Sequence, residues 1–286
     1  MGQRNLLLVL LLPAIIVTAF VGLMPMFALI NYALQTPFEM RNVFVGILHF
    51  RDMFHDYRFR DAVLRSVAFA GVALGIELPL GLGLAYLLRK PSVINSIITA
   101  LVALPTLFPP VTIGMMWLLM ARKNGPLGMI VDWLMRGAYD PFGNTLHAWG
   151  TVILMDVWHW TGLTFLVCLA AVSSIDESYV ISARTEGATR WQVFKYAEFP
   201  QIVPPLTFIA LLRLIDALKI FDEVYILTGG GPGLNTEFIT QYIRTIGLEQ
   251  WIVGYASAMS LVFLFTVLIL SWAMLMVLTG GRGLIE

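Results

Sequence analysis

The sequence predicts an all-α membrane protein of six transmembrane helices, and three observations lead there. Of its 286 residues 58% are hydrophobic and 13% charged, with a mean hydropathy of +0.81. That is too apolar for a domain that hides its apolar surface inside itself. The windows 5–38, 91–121 and 250–281 hold no Asp, Glu, Lys or Arg, and each exceeds the roughly 20 residues that cross a hydrocarbon core. No run of ten-residue alternating segments suggests a β-barrel. The 18 basic and 18 acidic residues cancel, which leaves no electrostatic footprint for nucleic acid. A single cysteine, Cys168, excludes a disulfide framework and any multi-cysteine metal site.

The first span is expected at about 6–34. Arg4 and the leucines after it resemble a signal peptide, but the stretch is too long for a cleavable one and no small-x-small site follows; the segment reads as a retained signal anchor. Further spans are expected at 62–88 (with Glu77), 94–121, 148–173 (with Asp156 and His159), 203–227 (with Arg213, Asp216, Lys219, Asp222 and Glu223) and 252–280. Residues 174–202 form a loop, and 1–286 reads as a single membrane domain. Lys and Arg divide almost evenly between the two faces. Orientation therefore rests on Arg4, which precedes the first span, and on the Arg89/Lys90 pair in a short loop, which favour cytoplasmic termini.

An ionisable group inside a span costs roughly 2.5–3.5 kcal/mol on insertion scales, so it faces water or a partner. At 100° per residue Asp156, His159, Trp160 and Leu163 share one face of the fourth span. An acceptor, a switchable donor and an aromatic face suit a sugar or polyol, although structural hydrogen bonding fits the same pattern. Arg213, Asp216, Lys219, Ile220 and Glu223 share a face of the fifth span, where Asp216 and Lys219 at i, i+3 could bind hydroxyls or neutralise one another. Glu77 reads as a satisfied structural carboxylate, and Cys168 and most methionines as packing. Trp133, Trp149 and Trp251 lie near span ends, where aromatic belts form.

Loop 174–202 reads as two short helices broken by Gly187. Tyr179, Ser182, Ala183 and Glu186 share a stripe whose small residues admit close approach of another surface. Gly187 suits a helix C-cap, Trp191 and Phe194 begin an apolar edge, and Pro200 and Pro204 are expected to interrupt entry into the fifth span. An amphipathic hairpin resting on lipid is the other reading.

This loop resembles the EAA loop of permease subunits in binding-protein-dependent ABC importers. Ser182 and Ala183 stand where the motif has its two alanines, and Glu186 replaces the usual Asp before the glycine. Gly187 and Ala188 match, and Trp191, Gln192, Phe194, Pro200 and Pro204 fit the downstream half. Ile181 occupies the place of the leading glutamate, and Arg184 that of a small residue. The run 221–233, Phe-Asp-Glu-Val-Tyr-Ile-Leu-Thr-Gly-Gly-Gly-Pro-Gly, with Thr236-Glu237 and Gly254 to Ala258, is similar to the end of the fifth and start of the sixth span in carbohydrate importers, in particular their maltose-transporter-type first permease subunit. The segment 45–54 resembles the family's first external loop.

The resemblance implies a type I ABC importer permease fold with a cytoplasmic coupling loop, and alternating access driven from outside the chain. It implies a heterodimer with a second permease subunit, two ATPase subunits, an external or periplasmic solute-binding protein, a sugar or polyol substrate, and surrounding lipid in a bacterial or archaeal cytoplasmic membrane. The chain has no Gly-x-x-x-x-Gly-Lys-Ser/Thr phosphate loop, so ATP and Mg belong to the partner ATPase and no cofactor is expected here. Two further readings stand beside this one: an intramembrane enzyme using Asp156 and His159 as an acid/base pair, and a non-transporting membrane scaffold.

Overall fold

The computed structural model describes the backbone of residues 3–38 and 41–279, and the side chains of 11–36 and 43–278. The side chains of Arg4, Arg41 and Arg282 lie outside the described residues. Contacts gather into two compact units, Met1–Asp61 with Tyr242–Thr266, and Ala62–Gln241 with Val267–Glu286.

Among the described residues five helices are long and apolar enough to cross a membrane, at Leu11–Ala33, Tyr57–Leu88, Thr145–Ser173, Arg190–Leu218 and Val253–Leu278. A bent pair, Val93–Leu107 and Pro110–Ala121, is apolar and long enough to make a sixth if its two halves form one broken span.

The first unit contains α1 (Gln3–Ala33), a hairpin of β1 (Gln35–Phe38) and β2 (Arg41–Phe44) in antiparallel register with Gln35 opposite Phe44, and α2 (Leu48–His55). Ala33, Ala258 and Leu261 form its core, with Leu29 and Phe50 packed against them. Asp56 fastens the unit's polar end by accepting hydrogen bonds from the hydroxyls of Tyr242 and Tyr255 and from the N–H of Arg58. Burial pushes this carboxyl up, but those hydrogen bonds outweigh it and hold the group below its ordinary value. The hairpin was not expected, because four-residue strands inside a loop carry too little alternation to register.

The second unit carries α3 (Tyr57–Leu88) from Ala62 onward, α4 (Val93–Ala103), α5 (Pro110–Ala121), α6 (Pro126–Leu134) and α7 (Thr145–Ser173). There follow α8 (Glu177–Thr185), α9 (Arg190–Gln192), α10 (Phe199–Leu218) and α11 (Asp222–Thr228). α12 (Ile239–Arg244) and α13 (Val253–Thr279) each divide between the units, α13 belonging to the first as far as Thr266. Side-chain caps start the helices in the usual way: Ser92 accepts from Asn95 N–H, Asn144 from Leu146 and His147, and Asp176 from Ser178. Ala85, Leu88, Phe165, Cys168, Ala171, Val172 and Ile202 form a core where α3, α7 and α10 meet.

Three expectations are corrected. The window 94–121 is not one straight span. A 3-10 turn, Leu104–Leu107, and the Pro109-Pro110 pair bend it by 101°. Pro109 is extended at φ −62°, ψ 145°, the conformation that a following proline enforces. The fifth span ends at Leu218 rather than 227; the chain leaves the helix at Lys219, and the freed Ile220 carbonyl accepts from Thr240 Oγ1 at 2.6 Å. Finally, Pro200 and Pro204 do not interrupt entry into this span. A π-helical turn, Val193–Glu198, leads into α10 directly. Pro200 then falls in the first turn of α10, where a missing N–H is tolerated.

The separate helix α11 lies along α5. Gly114 makes this possible, because a Cβ there would stand 3.0 Å from the backbone of Glu223. The contact sets Glu223 at the bend, beside α7.

Candidate functional site

At the centre of the second unit Arg213 of α10 is fully buried. A guanidinium there requires partners on every side, and three elements supply them. Glu77 of α3 accepts a two-pronged pair, from Nε to Oε2 at 2.7 Å and from Nη2 to Oε1 at 2.9 Å. Asp156 of α7 accepts from Nη2 at 2.9 Å, and Asp216, one turn along α10, from Nη1 at 2.7 Å. The Trp160 ring lies 4.8 Å from the guanidinium carbon, within cation–π range. Both Glu77 and Asp156 are buried, whereas the Asp216 side chain is 39% exposed.

His159 makes a second, adjacent link. Its Nε2 lies 3.2 Å from the carbonyl of Phe108 at the bend, and its Nδ1 3.3 Å from Oε1 of Glu223. A carbonyl requires a proton on Nε2. Nδ1 faces the Glu223 carboxyl without hydrogen-bond geometry. His159 also lies 4.5 Å from Trp160, centroid to centroid.

Asp156 and Asp216 thus meet on Arg213, and His159 and Trp160 flank them. Leu163 is half-buried, Ile220 is buried, and Lys219 is exposed. The i, i+3 partner of Asp216 is Arg213 on its N-terminal side, not Lys219 on its C-terminal side. Asp156 and His159 have separate partners, so the acid/base pair of the enzyme reading is not assembled.

The loop has its own geometry. Asp176 caps α8, and the N–H of Ser178 holds its carboxyl below its ordinary value. Gly187 then turns the chain at φ +84°, a conformation that side-chain-bearing residues rarely adopt. Thr189 and Gln192 form a reciprocal capping box that starts α9. Between the two helices lies an open cleft of about 420 Å³, lined by Ala183, Glu186, Gly187, Ala188, Gln192, Tyr196 and Ala197. Ser182 and Pro200 are exposed outside it, as is Trp191, which stacks on Phe194 at 5.4 Å.

Residues 77–279 match the family described as binding-protein-dependent transport system inner membrane component. That stretch contains the Arg213 cluster, the bend and the loop cleft. The chain belongs to this family. Among relatives of this inner membrane component, the trehalose/maltose transport system permease protein MalF of Thermococcus litoralis is 30% identical over 198 residues, 69% of this chain and 67% of its own. The trehalose transport system permease protein SugA of Mycobacterium tuberculosis H37Rv is 27% identical over 269 residues, 91% and 84% of the two chains. The fold is shared with a chain of a bacterial ABC transporter involved in the import of the acidic polysaccharide alginate, with a TM-score of 0.81, 22% identity, and coverage of 99% and 97%.

The glycine-rich turn of this inner membrane component is firmly tied. Thr236 Oγ1 lies 2.6 Å from the Gly231 carbonyl and 2.7 Å from Thr228 Oγ1. Asn235 donates to Thr145 Oγ1 at 3.0 Å and accepts from the Trp149 indole at 2.9 Å. Trp149 therefore has a hydrogen-bonding task beyond any aromatic belt. Sequence reasoning missed two partnerships, Glu223 with His159 and Glu77 with Arg213. The available signal was that each intramembrane charge needs a counterpart; the separation of 136 residues between Glu77 and Arg213 hid which one.

Proposed function

We propose that this chain is the membrane-spanning permease subunit of an ATP-driven importer, translocating a carbohydrate or polyol handed over by an external solute-binding protein. Its partners are a second permease subunit and two ATPase subunits, which carry the ATP and Mg; both termini face the cytoplasm. The observation that carries this reading is a continuous path. The cleft around Gly187 opens beside α9, which runs through the π turn into α10, and α10 carries Arg213 into contact with α3 and α7. A push on the loop is thereby delivered about 20 Å along α10, to Arg213 near the far end of the helix. The names of the trehalose and maltose relatives support the carbohydrate class. The enzyme reading is set aside because its two groups are engaged elsewhere.

Within the pathway, the substrate-facing members are Trp160, Leu163, Asp216 and Lys219, which retain exposure, while Asp156, His159 and Ile220 support them from behind. Trp160→Ala removes a stacking face for a sugar ring and should lower uptake about tenfold while the subunits still assemble, since an aromatic stacking contact is worth about 1 kcal/mol or more. Uptake and assembly measured in the same membranes decide this; wild-type uptake would remove Trp160 from the pathway.

Topology is the direct test of the reading. A cysteine replacing Asn235 should react with an impermeant thiol reagent added to intact cells, and one replacing Thr189 only after permeabilisation. The reverse pattern would put the loop cleft on the wrong side for an ATPase.

A further inference from the structure

The π turn that leads from the loop into α10 ends on a buried carboxylate. Glu198 ends the π turn and is 6% exposed, and its Oε1 lies 3.4 Å from Nη1 of Arg89, the residue after α3. The Arg89 guanidinium also lies 5.6 Å from the Tyr86 ring centroid. Tyr86 in turn meets Phe194 edge-on at 5.7 Å, and Phe194 packs on Trp191 and Phe199. We infer that Arg89 and Glu198 are positioning residues that fasten the foot of α10 to the foot of α3, so that both helices follow the loop as one body.

The Arg213–Glu77 pair is one polar joint between α10 and α3, and the apolar core that holds Ala85, Leu88 and Ile202 packs between it and the feet of the helices; apolar contact is non-directional and leaves the helices free to turn about that joint. A second joint removes that freedom. Arg89 lies 12 residues beyond Glu77, and Glu198 lies 15 residues before Arg213. At 1.5 Å per residue the two joints are separated by about 18–22 Å, long enough to resist rotation. The ion pair is difficult to open because it would leave Glu198 buried without its cation. Lys90 and Arg184 line a second cleft, of about 610 Å³, together with Arg89 and Glu198, but Arg89 is the cation that the structure places on Glu198.

This rests on the importer reading, and the test separates the two. Spin labels are placed at Leu87 and Phe208, both exposed, in the complete assembly with its ATPase, and their separation is measured with and without ATP plus vanadate. The wild-type distance should stay within about 2 Å, against shifts of about 5 Å for helices that ratchet by a turn. Glu198→Gln should make the distance nucleotide-dependent or broaden it, and the exchange Arg89→Glu with Glu198→Arg should restore a single fixed value. A wild-type distance that changes with nucleotide, a Glu198→Gln variant that behaves as wild type, or an exchange without rescue would each overturn the inference while vanadate-sensitive hydrolysis persists. An assembly with no vanadate-sensitive hydrolysis would overturn the importer reading, and this inference with it.

Discussion

Arg213→Met should destabilise the protein by about 3–5 kcal/mol, the usual cost of stripping one partner from a buried ion cluster. Glu77 and Asp156 would then sit buried without the cation that each one contacts. Arg213→Lys should fall between, since an ammonium keeps the charge but cannot offer the two-pronged fork that Glu77 accepts. Neutralising the buried members, with Glu77→Gln and Asp156→Asn added to Arg213→Met and the part-exposed Asp216 left in place, should recover much of the loss. The measurement is thermal unfolding of the detergent-solubilised protein together with its yield in membranes. Equal stability of Arg213→Met and wild type would mean that the cluster does not hold α3, α7 and α10 together.

Gly187→Asp should reduce uptake about a hundredfold while the spans insert normally, a loss at the upper end of ordinary coupling energies between sites. Two effects combine at this position. The backbone at φ +84° would be strained by any side chain, and a new carboxylate would join Glu186 in the cleft lining. Gly187→Ala introduces the strain alone and should do less harm. Uptake and solute-stimulated ATP hydrolysis in proteoliposomes distinguish the cases; normal values for both in Gly187→Asp would show that the cleft is not where force enters.

The spans were legible because hydropathy integrates over 20 or more residues and a charge-free window has few alternatives. Direction was less legible. A window such as 94–121 reports that the segment is apolar, not that it is straight, and only the Pro109-Pro110 pair hinted at the bend. The end of the fifth span was misplaced because apolar residues continue past Lys219 to Leu227, while the break there depends on a tertiary hydrogen bond from Thr240. The loop was the clearest feature, since small residues, a glycine and capping residues all act locally. Candidate site residues were found by helical periodicity, which groups side chains on one helix. It could not say that Asp156 and Asp216 converge on Arg213 from two helices, or choose between two i, i+3 partners for Asp216.

The central claim is that force generated by an ATPase enters at the Gly187 cleft and opens a path for a solute. The most direct measurement is ATP hydrolysis by the assembly purified through a tag on this chain and reconstituted in lipid, with and without its solute-loaded binding protein. The account predicts that an ATPase subunit copurifies, that the loaded binding protein stimulates hydrolysis, and that Gly187→Asp abolishes the stimulation. A chain that purifies without an ATPase, or an assembly whose hydrolysis ignores the loaded binding protein, would contradict it.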